Sequence, residues 1–250
     1  MRLGPILMYH WFRAEGVSSE SRSPQLEITP SLFAEQMEWL SRRGYRTISL
    51  ARALGLEGGS TPDGREVVLT FDDGTLDFWE RARPVLDSHG FTATLFVVSG
   101  HVGGHSTWDR HLGEPDRPLM SWEQIRELHA AGYEIGSHTH THRSLTEVSD
   151  DEARDEFARS RSVLESRLGL APRFVAYPRG QYTGRHKQLA HRSGYSGACA
   201  VILGWGDLWR GGRYELRRMT IKGPESMLRF RTKLALCRLV RYPDAGQGES

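Results

Sequence analysis

The chain has 250 residues, 38% hydrophobic and 26% charged, with 33 basic side chains against 31 acidic ones and a formal net charge of +2. That length suffices for one domain, two at most, with a sizeable core, and the near balance of charge excludes a dedicated nucleic-acid binder. Two cysteines, Cys199 and Cys237, without Cys-x-x-Cys spacing exclude a disulfide framework, a thiolate zinc knuckle and dithiol redox chemistry.

Strand-length apolar runs alternate with helical patterns. Strands are expected at residues 5–10, 45–49, 67–72, 92–98, 133–138, 173–177, 195–201 and 216–221, punctuated mostly by Gly, Pro and Ser. The amino terminus has no long apolar stretch or small-residue cleavage site, and runs such as residues 6–9 fall far short of the roughly 20 residues of a bilayer span. A cytoplasmic location, possible at the inner membrane surface, is therefore the expectation. Thr29 followed by Pro30 reads as an N-cap and first helical position, opening a helix through Trp39 that Gly44 closes. Residues 16–27 and 100–119 break the alternation and are expected to be lids or substrate rims. Ser121 with Gln124 and Ser149 with Glu152 have capping-box spacing, the second pair opening a long helix that Gly169 stops. The acidic start of that helix complements its dipole and is not read as a metal site.

Alternation of this kind implies parallel pairing, and seven or eight units predict an α/β protein with a (β/α) barrel over residues 1–222, a doubly wound open sheet being the runner-up. From Lys222 to Arg241 six basic residues face only Glu225. This segment is expected to form a basic helix over residues 223–242, packed on or beside the barrel, with peripheral contact to an anionic membrane as the second reading. Residues 243–250 are expected to be a disordered tail.

The chemistry gathers at strand ends. Val67-Val-Leu-Thr-Phe-Asp-Asp-Gly74 is a buried-type strand ending in two carboxylates, which can face one site only if the backbone turns there, as Gly74 permits. Tyr133-Glu-Ile-Gly-Ser-His-Thr-His-Thr-His142 is an apolar strand running into three histidines. His138 and His142 share a face if a helical turn begins, His138 and His140 if the strand continues. Two imidazoles and a carboxylate would give a divalent cation three ligands and leave positions open for water and substrate. Phe174-Val-Ala-Tyr-Pro-Arg-Gly180 ends in a turn whose amides can point at a ligand, and Ile6-Leu-Met-Tyr-His10 brings a histidine to a fourth strand end. In a parallel barrel all these ends open on one face.

Thr70-Phe-Asp-Asp-Gly74 followed by His138-Thr-x-x-His142 resembles the polysaccharide deacetylases with the NodB homology domain, over roughly residues 3–222. The resemblance implies a distorted barrel of about seven strands and metal-dependent removal of acetyl groups from amino sugars of a glycan or its precursor. It implies Asp73, His138 and His142 as metal ligands and Asp72 as general base. Zinc is the first choice, with Co, Ni, Fe or Mn as alternatives. Tyr177, Pro178, Arg179 and Gly180 resemble the family's third motif and become the substrate and oxyanion segment. That motif usually carries an arginine two residues before its proline, where this chain has Ala176; Arg218 is the candidate replacement beside Asp72. The family's late Leu-x-His motif has no counterpart either, its strand reading Leu216-Arg-Arg-Met219. The branch of bacterial poly-N-acetylglucosamine deacetylases opens with a similar Tyr-His strand, which implies His10 as general acid.

In the implied reaction Asp72 takes a proton from water, hydroxide attacks the amide carbon, a backbone amide of the Pro178 to Gly180 turn supports the oxyanion, and His10 protonates the leaving amine. Trp108 is the first candidate for sugar stacking, ahead of Trp79, Trp122, Trp205 and Trp209. The rivals are a non-haem iron oxygenase, disfavoured by the strand–helix alternation, a catalytically silent glycan-binding homologue, and a deacetylase or deformylase of a small or lipid-linked sugar.

Overall fold

Seven of the eight predicted strands pair in parallel around a closed ring. The computed structural model describes residues 4–58, 64–202 and 211–238. In chain order these form β1 (Ile6–Tyr9), β2 (Trp11–Phe12), β3 (Glu27–Ile28), α1 (Pro30–Arg42), β4 (Arg46–Thr47), α2 (Leu50–Ala53), β5 (Glu66–Phe71), α3 (Arg83–Ser88), β6 (Thr94–Val97), α4 (Trp122–Ala130), β7 (Glu134–Ser137), α5 (Asp150–Leu168), β8 (Phe174–Ala176), α6 (Gly184–Arg192), β9 (Gly197–Val201), β10 (Leu216–Thr220) and α7 (Met227–Cys237). The ring runs β1-β10-β9-β8-β7-β6-β5 and closes through β1 on β5. The eighth predicted strand shrinks to β4, which pairs with Glu66 and Val67 before β6 takes over at Thr70, so it lies outside the ring. The helix boundaries follow their signals. Thr29 caps α1, both capping boxes are formed, and Gly169 ends α5 with φ 72°.

Side chains sort by the two-residue period of the strands. Leu7 and Tyr9, Val67, Leu69 and Phe71, and Leu95 and Val97 point outward under α1, α3 and α4; Val175, Ala198 and Ala200 point outward under α5 and α6. Ile6, Val68, Phe96, Phe174, Ala176, Cys199 and Leu216 point inward. The floor of the barrel is closed by Ile48 together with Leu50, Ala51, Ala53 and Leu54 of the α2 region, all buried in that interior cluster. The Glu134 carboxylate fixes this plug by accepting from the amides of Leu50 (2.8 Å) and Ala51 (3.1 Å).

Interior space is shared between large and small residues. A Cβ on Gly136 would lie 2.6 Å from the Phe96 ring. Gly136→Ala is therefore expected to cost about 1–3 kcal/mol by overpacking, read as a fall of several degrees in Tm; an unchanged melting curve would mean that the ring yields freely.

The terminal helix α7 docks on α1. Phe230, Leu234 and Cys237 are buried, Phe230 meets Trp39 edge-on at 6.1 Å, and Arg231 and Arg43 lie over the same indole at 5.2 and 5.6 Å. Its apolar side thus faces the barrel, leaving Leu228 as its exposed large apolar residue. The expected tail 243–250, residues 239–242 of the expected helix, and Trp205 and Trp209 lie outside the described residues. Among the described residues no helix is long and apolar enough to cross a membrane.

Candidate active site

The inward phase of the strands carries four side chains to the carboxyl-end mouth. Asp72 follows Val68 and Thr70, His138 follows Gly136, His10 follows Ile6 on β1, and Arg218 follows Leu216. Asp73 would point away on a continued strand. Its φ of 71°, followed by 75° at Gly74, turns it back toward the mouth, one residue earlier than the glycine alone implied. Among the described residues four non-glycine positions have positive φ: Asp73, Thr139, His142 and Arg179. All four lie at this mouth. Left-handed backbone at such residues costs of order 1–3 kcal/mol each and persists where the surroundings over-determine it.

Thr139 resolves the alternatives left open for the histidines. Its φ of 65° ends β7 without starting a helix, and the chain doubles back so that His138 and His142 converge. His138 Nε2 and His142 Nε2 each lie 3.6 Å from Asp73 Oδ1. The three donor atoms are all within 4.8 Å of one another, and all three residues are buried. His140 turns aside, its Nδ1 3.0 Å from Ser99 Oγ.

The donor set fits a divalent cation. Ligand atoms bonded at about 2.0–2.2 Å to one ion stand about 3.4 Å apart in a tetrahedron, close to the spacings seen. Asp73 Oδ1 is buried and has no hydrogen-bond partner, which is costly for a carboxylate oxygen unless something fills the space it faces. His138 Nδ1 donates to the Ala176 carbonyl at 2.9 Å, leaving Nε2 as the lone-pair nitrogen. Burial lowers the pKa of His138, and burial together with His138 and Arg179 takes His142 well below the usual value. Both imidazoles are thereby kept neutral, as ligation requires. Burial lifts Asp73 to about 6, although His10 and the Trp11 hydrogen bond pull it down, a balance that a cation would tip toward the carboxylate.

Beside this cluster Asp72 and Arg218 form a fully buried two-pronged pair, Nη1 to Oδ1 at 2.5 Å and Nη2 to Oδ2 at 2.8 Å. Burial alone would raise Asp72; Arg218 first, then His138 and His10, outweigh it and hold the carboxyl at about 2. The guanidinium also donates to Thr70 Oγ1 at 3.2 Å and lies 5.1 Å from the centre of the Phe96 ring. Ala176 points into the same interior, so the position where the family motif carries arginine is small here, and the cation arrives from β10 instead. Arg217, one residue away, faces outward to the Val201 carbonyl and Glu215. His10 Nδ1 is 4.0 Å from Asp72 Oδ2 and otherwise without a hydrogen-bond partner.

The third segment divides. Tyr177 shares the outward phase of Val175, so its side chain stacks on Tyr182 at 4.6 Å and its hydroxyl donates to the Tyr214 carbonyl. The Tyr177 side chain therefore lies away from the mouth. The Tyr177 and Gly180 amides donate to Cys199 and Tyr177 carbonyls, and Pro178 has no N–H. The Arg179 N–H is the remaining donor of the turn. Its guanidinium pairs with Asp109, and the neighbouring Trp108 packs on His142 with ring centres 4.7 Å apart. The long segment 100–119 is thus fastened over the mouth. Trp11, not singled out in the sequence, donates Nε1–H to Asp73 Oδ2 at 2.9 Å. His186 is buried and accepts from the Thr183 amide at the start of α6.

Residues 59–198 match the family described as polysaccharide deacetylase. A putative polysaccharide deacetylase, YxkH, of Bacillus subtilis is 31% identical over 192 residues, covering 76% of this chain and 62% of its own. The poly-beta-1,6-N-acetyl-D-glucosamine N-deacetylase of Escherichia coli is 30% identical over 134 residues, 52% of this chain and 20% of its own. The chain therefore spans under two thirds of the length of these relatives. The solved structure of the Streptococcus pyogenes deacetylase PplD in complex with acetate superposes with a TM-score of 0.74 at 27% identity, covering 93% of this chain and 98% of that one.

Proposed function

The chain belongs to the polysaccharide deacetylase family, and we propose that it hydrolyses the N-acetyl amide of amino sugars in a glycan or glycan precursor. The observation that carries this reading is the pairing of a buried, arginine-bound Asp72 with an adjacent three-donor cluster at one barrel mouth. A divalent cation on Asp73, His138 and His142, zinc first, would polarise the amide carbonyl and acidify water, which lets a carboxylate as weakly basic as Asp72 take the proton.

The protein's own groups supply the rest. Arg218 keeps Asp72 ionised and fixes both its oxygens, so the carboxylate meets the water without reorienting. The Arg179 N–H, carried by a left-handed turn at the mouth, serves the developing oxyanion, a donor of the kind worth about 3 kcal/mol. His10, 4.0 Å from Asp72, carries the proton that the amine needs before it can leave. Trp108 over His142 forms the wall on which the sugar ring rests. The retained base and complete donor set favour a working enzyme over a silent glycan binder.

Purified protein loaded with zinc is expected to release acetate from N-acetylglucosamine oligomers, and a panel extending from monosaccharide to polymer and to lipid-linked sugar identifies the class. Full metal occupancy with no acetate from any of them would end the reading. His10→Ala is expected to lower turnover by about 10²–10⁴-fold with zinc content unchanged; a parallel loss of zinc would reassign His10 to the metal.

A further inference from the structure

We propose that Trp11 is a positioning residue of this centre, its indole N–H holding Asp73 to a single ligating oxygen and so preserving an open coordination position. The inference rests on the cation reading of the site. Trp11 is buried at 7% exposure, and its Nε1–H to Asp73 Oδ2 bond of 2.9 Å occupies the oxygen that does not face the imidazoles. Oδ1 faces them, 3.6 Å from each Nε2, with no hydrogen-bond partner. A carboxylate with both oxygens free can chelate one ion and fill a position that a catalytic centre must leave for water or substrate. With Oδ2 engaged, that alternative is closed.

The indole is itself held. The Arg117 guanidinium lies 4.1 Å from the ring centre, and Arg117 donates to Glu27 Oε1 at 2.7 Å. Glu27 is the register partner of Trp11 where β2 pairs with β3. The backbone of Arg117 is tied to Ser106 in both directions at 2.9 Å, so the cation over the ring is anchored by the long segment 100–119. A core tryptophan needing a partner for its N–H would be satisfied by any carbonyl. Here the acceptor is a buried metal-ligand candidate and a guanidinium covers the ring.

The test uses the full chain with Trp11→Phe and with Trp11→3-benzothienylalanine, which keeps the ring shape and replaces N–H by sulfur. Zinc affinity is measured by chelator competition, and the visible spectrum is recorded after cobalt loading. Loss of a group that orients a ligand typically weakens metal binding about 10–100-fold, and the cobalt bands are expected to weaken as a fifth ligand atom enters. An unchanged cobalt spectrum in the benzothienylalanine variant overturns the proposal, whatever the affinity. If Trp11→Phe fails to fold, that near-isosteric variant decides alone. A wild-type chain that takes up no cobalt removes the cation reading itself, and this inference with it.

Discussion

Asp72→Asn is expected to lower acetate release by two to four orders of magnitude while the purified protein keeps its zinc. The amide has nearly the shape of the carboxylate and can still accept from Arg218 through one oxygen, so the ligand cluster next door keeps its geometry. What disappears is the proton acceptor, and general-base contributions are typically of that size. The same change leaves the Arg218 guanidinium, fully buried, without its counter-charge. A lower Tm should therefore accompany the lost turnover, and the two effects separate by assaying well below the melting range. Retained turnover in fully loaded protein would remove Asp72 from the role of base.

Arg218→Ala should be the more damaging of two neighbouring substitutions by a wide margin. Removing one partner of a buried ion pair leaves the other charged in a poor solvent, at a cost of about 3–5 kcal/mol, which for a chain of this size is a fall of roughly 10 °C in Tm. Turnover falls as well, because Asp72 loses both the charge that keeps it ionised and the prongs that orient it. Arg217→Ala, on the outward face with Glu215 and the Val201 carbonyl as partners, should cost little in turnover. Equal mild effects of the two would defeat the idea that β10 supplies the arginine absent at Ala176.

The strands, the caps and the gathering of Asp72, Asp73, His138, His142 and His10 at one mouth were legible because hydrophobic periodicity and parallel pairing determine them together. The phase of β10 was not. Leu216 and Met219 fall on opposite faces, so the sequence alone leaves either Arg217 or Arg218 pointing inward. The outward turn of the Tyr177 side chain did carry a signal, since it shares the face of Val175, which an outward apolar layer claims. Trp11 carried no signal. Strict alternation from β1 places it opposite His10, and it reaches Asp73 because the chain breaks between β1 and β2 and the carboxylate itself swings back through a left-handed φ. The choice among His138, His140 and His142 likewise depended on a Thr139 conformation that a β-branched residue seldom adopts.

Among the described residues, the plug of Ile48, Leu50, Ala51, Ala53 and Leu54 fills the floor of the barrel and leaves the mouth as its door. In the proposed reaction the glycan arrives, and both the free amine and the small acid depart, by that same opening. A polymer cannot thread through, so each cleavage is a fresh docking from the side. Sugar and acetate then share one exit, which makes the order of departure a property of the architecture as much as of the chemistry.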